Sequence, residues 1–181
     1  MVVGTACRVE DVKDPLAFTR VMGEVTKRIP EAEAWIVGGG SQLVACRQLA
    51  EANGYARLRF WGRRNDAKEL IAQMDCFVLT SHREGMPGAL LEAMSVKTPV
   101  AFMEGEGGLQ DLAEMNRTEG PFAVVVQQGD EAAMVEGICA LLKNPLKSEE
   151  YANRAFEVGQ RHFDLAVVVG QLHNVYKSVL K

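Results

Sequence analysis

The sequence predicts an α/β fold in which a six-stranded parallel sheet carries helices on both faces. Two observations support this prediction: six short apolar runs recur along the 181 residues, and segments with helical spacing separate them. Continuously apolar runs are typical of strands that are buried on both faces, as in a parallel sheet. No repeat, low-complexity segment or linker interrupts the chain, so we predict one domain over residues 1–181.

The six predicted strands are short apolar runs, as expected for buried strands. They cover residues 1–7, 34–38, 58–62, 76–80, 99–103 and 122–126. Connections between parallel strands cross over through helices, so we expect right-handed crossovers throughout.

The helices are predicted from their start and stop signals. Asp14-Pro15 is an N-cap followed by proline at the first helical position, Ser41 is the predicted cap of a second helix that ends near Asn53-Gly54, and Asp130 caps a later one. The other predicted helices begin at Asn65 or Asp66, run from about 87 to 96, and cover about 148–162 and 165–180.

Composition excludes several functional classes. A net charge of -4 argues against a nucleic-acid binder that works through bulk charge. No window is apolar enough for a membrane span, and the first ten residues lack the features of a signal peptide. The cysteines are widely spaced among apolar neighbours, which is typical of core residues in a reducing cytoplasm and gives no metal-binding spacing: Cys7, Cys46, Cys76 and Cys139.

The loops that follow the strands are where a ligand is expected, because open α/β sheets bind ligands beyond the carboxyl ends of their strands. These loops carry Arg8 and Lys13, the Gly38–Gly40 triplet, Arg63 and Arg64, Glu84, and the glycines of residues 105–108. Cations, glycines and a helix N-terminus on one rim favour an anionic ligand.

A dinucleotide-binding loop is the obvious rival interpretation. It requires G-x-G-x-x-G directly after the first strand, whereas the loop there reads CRVEDVKD and has no glycine. We therefore discount NAD. The Gly38–Gly40 triplet is either a plain tight turn or a place where the backbone approaches a ligand, and the sequence leaves both open.

The segment EGMPGALLE is the sharpest chemical signal. Glu84 ends a loop and Glu92 lies within the helix that follows, and the amides from Gly88 to Leu91 are expected to be unpaired hydrogen-bond donors suited to phosphate oxygens. Glu92 is then placed to accept from ribose hydroxyls and Glu84 from a sugar. The alternative is that Glu92 is an exposed helix acid.

Several motifs occur in a fixed order: G-T-x-x-R-x-x-x-x-K-D, V-G-G-G, R-F-W-G, E-G-x-P-x-x-x-L-E-A-M with P-V after it, G-G, and G-D before a helix. In this order the chain resembles the C-terminal, donor-binding domain of GT-B-fold retaining glycosyltransferases of family 4, the group 1 glycosyl transferases. The resemblance spans about residues 2 to 180 and implies a Rossmann-like domain, one half of a GT-B fold.

The resemblance implies roles for residues at matching positions. Arg8 and Lys13 hold the donor diphosphate and, with Glu84 near the donor sugar, are the candidate catalytic residues. The other implied nucleotide-sugar contacts are Gly85, Met86 and Pro87 against the sugar, the amides of Leu90 and Leu91 on phosphate, Glu92 on the ribose, Gly38 and Gly40 along the pocket, and Arg63 near the base.

The resemblance also implies that no metal and no cofactor is needed, consistent with the absence of an Asp-x-Asp pair in the sequence. The implied partner is a nucleotide sugar. Two departures affect the site: Cys7 stands where the family usually has glycine, and Gln110 where it usually has glutamate. A neutral amide still forms hydrogen bonds but carries no charge.

Family members have a second, N-terminal domain that binds the acceptor, and this chain resembles only the other half. It is therefore expected to bind a nucleotide sugar but to transfer it poorly alone, with peripheral membrane association through the missing half left open. The alternatives are a non-catalytic binding subunit or sensor completed by a separate chain, and a degenerate pseudo-transferase.

The last predicted helix has an apolar face, formed by Val168, Leu172, Val175, Tyr176 and Val179. In the family, the chain end crosses back toward the other domain. Packing of this face on the chain's own sheet is the alternative.

Overall fold

The structure is a computed structural model that describes residues 1–180. Six strands form one sheet in the spatial order β3-β2-β1-β4-β6-β8, and every neighbouring pair is parallel. The strands are β1 (Val2–Ala6), β2 (Glu33–Val37), β3 (Leu58–Gly62), β4 (Cys76–Leu79), β5 (Arg83–Glu84), β6 (Val100–Glu104), β7 (Glu106–Gly107) and β8 (Ala123–Gln127). The predicted six-stranded parallel sheet is thus confirmed, with each of its strands within one residue of the predicted bounds.

Residues 1–180 contain eight α-helices, of which the first seven pack on the two faces of this sheet and the last contacts mainly the helix before it. They are α1 (Pro15–Arg28), α2 (Leu43–Ala52), α3 (Ala67–Ile71), α4 (Gly88–Ser95), α5 (Gly108–Thr118), α6 (Glu131–Lys143), α7 (Pro145–Phe163) and α8 (Leu165–Val179). The prediction named no helix between the fifth and sixth strands of the sheet, where α5 lies.

The sheet separates two apolar cores because successive side chains of a strand point to opposite faces. In β4, Cys76 and Val78 pack with α1 and α6, whereas Phe77 and Leu79 pack with α3, α4, α5 and α7. All four residues are buried, as the unbroken apolar run predicted.

Two of the three predicted helix caps are confirmed. The side chain of Asp14 accepts from the Ala17 amide at 3.0 Å, and that of Asp130 accepts from the Ala133 amide at 2.9 Å. The prediction for Ser41 is wrong: α2 begins two residues later, at Leu43, and the Ser41 hydroxyl and amide both donate to Glu10 instead.

The terminal helix α8 has no buried residue. Leu172, Val175 and Tyr176 are all more than half exposed, so this apolar face does not pack on the chain's own sheet. No helix within residues 1–180 is both long enough and apolar enough to cross a bilayer.

Candidate functional site

Two neighbouring cavities lie at the carboxyl ends of the central strands. The arginine cavity, about 420 Å³, is lined among others by Arg8, Gly38, Arg63 and Glu92. The glutamate cavity, about 180 Å³, is lined among others by Arg8, Lys13, Glu84, Met86 and Pro87. Both are lined by Ala6, Cys7 and Arg8, so the two cavities adjoin at Arg8, and together they are called the crevice below.

Arg8 and Glu92 come together as the sequence predicted. Both are exposed and both line the arginine cavity, although 84 positions separate them in the chain. Within residues 1–180 the Arg8 side chain forms no ion pair or hydrogen bond, so its guanidinium keeps all its donors for a ligand.

Lys13 and Glu84 form a largely buried ion pair that the sequence did not predict. The Lys13 Nζ lies 2.5 Å from both Oε1 and Oε2 of Glu84, and the two side chains are 15% and 9% exposed. The buried Ser81 hydroxyl donates to Oε1 of the same carboxylate at 2.7 Å. A carboxylate held by charged and neutral donors has a fixed orientation at the cavity wall.

The loop after β1 is held against the end of β4. The Thr80 hydroxyl lies 3.0 Å from the carbonyl oxygen of Lys13 and 2.9 Å from that of Asp14, and the His82 amide donates to the Val12 carbonyl at 2.9 Å. These bonds fix the backbone that carries Lys13 beside the strand end that leads to Glu84.

The Gly38–Gly40 triplet is explained by a close approach of two loops. A Cβ on Gly38 would lie 1.9 Å from the Cys7 carbonyl oxygen, and one on Gly40 would lie 2.3 Å from that of Val9. Gly38 also has a φ of 139°, which L side chains rarely adopt. The triplet therefore accommodates protein backbone; Gly38 lines the arginine cavity, whereas Gly40 lines neither cavity.

The acid that follows Arg8 is engaged by the loop after β2. The Glu10 carboxylate accepts from the Ser41 amide at 3.1 Å and from its hydroxyl at 2.5 Å. These hydrogen bonds lower the pKa of Glu10, with a smaller contribution from Arg8. The charge of Glu10 is thereby directed toward the start of α2.

A second, two-stranded parallel sheet supports the loop that carries Glu84. β5 pairs with β7, with Arg83 opposite Glu106 and Glu84 opposite Gly107. A Cβ on Gly107 would lie 2.4 Å from the Glu84 carbonyl oxygen, which explains a glycine there. Gln110 is exposed on α5 and lines neither cavity.

The start of α4 corrects the prediction about free amides. The Leu90 and Leu91 amides both donate to the Pro87 carbonyl, at 2.9 and 3.1 Å, and the Gly88 amide donates to the Met86 carbonyl at 2.8 Å. Neither leucine lines either cavity. The Pro87 carbonyl is the first acceptor of the helix, and it serves residues 90 and 91. The Ala89 amide is therefore the one amide of this turn without a partner within residues 1–180.

The remaining predicted contacts divide between the cavities and the surface. Met86 is 59% exposed and, with Pro87, lines the glutamate cavity, whereas Gly85 lines neither cavity. Arg63 is exposed and forms no ion pair within residues 1–180.

Arg64, in contrast, binds both carboxylate oxygens of Asp66, at 2.8 and 2.6 Å.

Cys7 contributes a neutral thiol to the wall shared by the two cavities. Burial raises its pKa to about 11, partly opposed by a hydrogen bond from the Thr5 side chain. Cys7 stands where the family that the chain resembles usually has glycine. Its thiol therefore adds only a small, uncharged group to this wall.

A family model described as glycosyl transferases group 1 matches residues 1–144 of the chain. Among characterised proteins, the N-acetyl-alpha-D-glucosaminyl L-malate synthase of Bacillus anthracis is 27% identical over 175 residues, which are 96% of this chain and 43% of that protein.

Solved structures show the same fold. Anabaena HepE in complex with UDP superposes with a TM-score of 0.86 at 22% identity, covering 98% of this chain and 48% of that one. A mutant of S. aureus TarM in complex with Fondaparinux, alpha-GlcNAc-glycerol and UDP gives a TM-score of 0.88 at 20% identity, covering 97% and 35%. The chain thus spans less than half the length of each of these relatives.

Proposed function

Since the chain belongs to the glycosyl transferases group 1 family, we propose that it is the donor-binding half of a retaining, metal-independent glycosyltransferase. Such an enzyme moves a sugar from a nucleoside-diphosphate sugar to an acceptor. Because the chain spans 43% of its malate synthase relative, the proposal assigns the acceptor to a further domain, and the chain alone is expected to transfer sugar poorly.

The observation that carries the proposal is the crevice that runs past Arg8. It has an exposed acid, Glu92, in the larger cavity, a lysine-glutamate pair in the smaller one, and a free guanidinium between them. This order of groups suits a pentose, a diphosphate and a hexose laid end to end. The nucleoside then lies toward Arg63 and the sugar toward Met86.

The proposed chemistry is electrostatic stabilisation of the leaving diphosphate. Arg8 presents a planar set of donors suited to phosphate oxygens, and Lys13 adds a second positive charge. The Ala89 amide, which has no partner within residues 1–180, adds a neutral donor at the start of α4. Fixed groups of this kind stabilise charge that develops on a leaving group without having to reorganise.

A second candidate function is a nucleotide-sugar-binding subunit or sensor that a separate chain completes. The chain's short span relative to its relatives is compatible with it. The two candidates are distinguished by supplying an acceptor domain either in the same polypeptide or as a separate chain and measuring sugar transfer. Transfer by the single polypeptide supports the enzyme, and transfer only with a separate chain supports the subunit.

Ligand-dependent thermal stability tests the proposal. We expect one of UDP, GDP or ADP, or the corresponding nucleotide sugar, to raise the melting temperature, because a ligand of the folded state stabilises by mass action. UDP is the first to test, since HepE and TarM structures contain it.

The variant that follows is R8A/K13A, for which we expect at least about a 100-fold loss of nucleotide affinity, since each charge-assisted hydrogen bond contributes about 1.5–3 kcal/mol. R57A/K143A removes the same charges at exposed positions outside both cavities and is the matched control. R8A is also measured alone, because loss of Lys13 removes the ion-pair partner of Glu84 and loss of Arg8 does not. Unchanged affinity in R8A and in the double variant contradicts the proposal.

A further inference from the structure

Ser81 lies between the end of β4 and β5 and is fully buried. Its hydroxyl donates to Oε1 of Glu84 at 2.7 Å, and the residue lines neither cavity. Whatever Ser81 contributes to a ligand, it must therefore contribute through the Glu84 carboxylate.

The bonds to Glu84 are distributed unequally over its two oxygens. A carboxylate offers about four acceptor positions, two on each oxygen. Oε1 accepts from both Ser81 and Lys13, whereas Oε2 accepts from Lys13 alone. One acceptor position therefore remains, on Oε2, while Oε1 is filled.

We propose that Ser81 is a positioning residue that makes Oε2 of Glu84 the acceptor for a hydroxyl of the bound donor sugar, and so contributes to the choice of sugar. This inference rests on the proposed function, because it takes the glutamate cavity as the place of the sugar. A single acceptor position in a fixed place favours a sugar whose hydroxyl points at it over an epimer whose hydroxyl points away.

Removal of the Ser81 hydroxyl frees the carboxylate to turn about its terminal torsion, which is a broad, roughly two-fold rotor. Oε1 then also has an open acceptor position, and the carboxylate no longer presents one defined oxygen. Affinity for UDP, which has no sugar, is expected to change little.

The test compares S81A with the unaltered chain by titration calorimetry, with UDP, UDP-glucose, UDP-galactose and UDP-N-acetylglucosamine as probes. We expect S81A to reduce the preference of the chain for its best UDP-sugar over UDP by about fivefold, the scale of one hydrogen bond. The matched control is T98V, which removes the hydroxyl of the buried Thr98 that bonds the Ile71 carbonyl at 2.9 Å. T98V is expected to leave the preference unchanged.

A measurement without nucleotide tests the positioning itself. Acetic anhydride is expected to acetylate Lys13 at least twofold faster in S81A than in the unaltered chain, relative to the exposed Lys177 in the same sample, because Glu84 shields Lys13 less firmly. Peptide mass spectrometry reads both sites.

An unchanged sugar preference in S81A overturns the inference, and equal acetylation of Lys13 in S81A and the unaltered chain overturns its structural basis. Failure of the unaltered chain to bind any of the four probes counts instead against UDP-sugar binding, and the acetylation rates then decide alone whether Ser81 positions the ion pair.

Discussion

At the scale of single residues, Cys7 shows how burial sets the chemistry of the crevice. Desolvation raises its pKa to about 11, so the folded chain favours the neutral thiol. A pKa that is higher in the folded than in the unfolded chain makes the free energy of unfolding depend on pH. The contribution of Cys7 is complete below the ordinary thiol pKa near 9 and is lost as the pH rises through about 11. An anionic ligand therefore meets no thiolate at neutral pH.

Alkylation by iodoacetamide is expected to be slow at Cys7. Two pH units separate its pKa from the ordinary value of 9.0, so at pH 8 the thiolate fraction, and with it the rate, is about 100-fold below that of an unperturbed thiol. Mass spectrometry of the labelled peptide gives the rate, with glutathione as the standard. A rate at Cys7 comparable to that of glutathione contradicts the prediction.

Residue positions at the strand ends could be predicted, but contacts between loops could not. Arg8 and Glu92 were expected in one crevice because each directly follows, or lies in the helix after, a buried strand. The Lys13–Glu84 pair joins loops 71 positions apart, and no local pattern encodes such a pairing. For the same reason Gly38 was recognised as special, but not as the contact point of the Cys7 carbonyl.

At the scale of elements, the prediction succeeded where a segment is long and apolar. The central strands β1, β2, β4 and β6 are recognisable because both of their faces are buried, and the edge strands β3 and β8 because they are still short apolar runs. β5 and β7 have two residues each, too few to show any periodicity, and they exist because two loops meet. The start of α2 was misjudged because Glu10, distant in sequence, takes the Ser41 hydroxyl.

Removal of α8 tests how little this helix contributes to the fold. Because none of its residues is buried, we expect deletion of residues 164–181 to cost no more than about 1 kcal/mol and to leave the melting temperature within about 4 °C. Thermal unfolding followed by circular dichroism measures this.

The control deletion starts at residue 154 and also removes Ala155 and Val158 of α7, which are buried in the core. It is expected to unfold the chain or lower the melting temperature far more. Equal effects of the two deletions would mean that α8 stabilises the fold as much as α7 does.

At the scale of the whole molecule, the sign of the net charge and that of the proposed site are opposite. The chain carries -4 overall, yet the charged residues that line the crevice are four cations and two acids: Arg8, Lys13, Arg63 and Arg64 against Glu84 and Glu92. A local positive field on an acidic protein attracts anions at short range, where it is sensitive to added salt.

Salt is therefore expected to weaken UDP binding but not uridine binding. Between 50 and 500 mM NaCl we predict about a tenfold rise in the Kd of UDP, because the Debye length falls to a few ångströms and the diphosphate is attracted by charge. Uridine lacks the diphosphate and is the control. Calorimetric titrations that show the same salt response for both compounds argue against a diphosphate at Arg8.

Trp35 and Trp61 are the only two tryptophans of the sequence, and they meet edge to face, with ring centroids 5.2 Å apart, on β2 and β3. Arg64, which lines the arginine cavity, lies 5.6 Å from the Trp61 ring. Under excitation at long ultraviolet wavelength, the chain's entire intrinsic fluorescence therefore originates from one spot beside the proposed nucleoside end. The tryptophan emission can therefore report, without an added label, a ligand that binds at this end of the crevice.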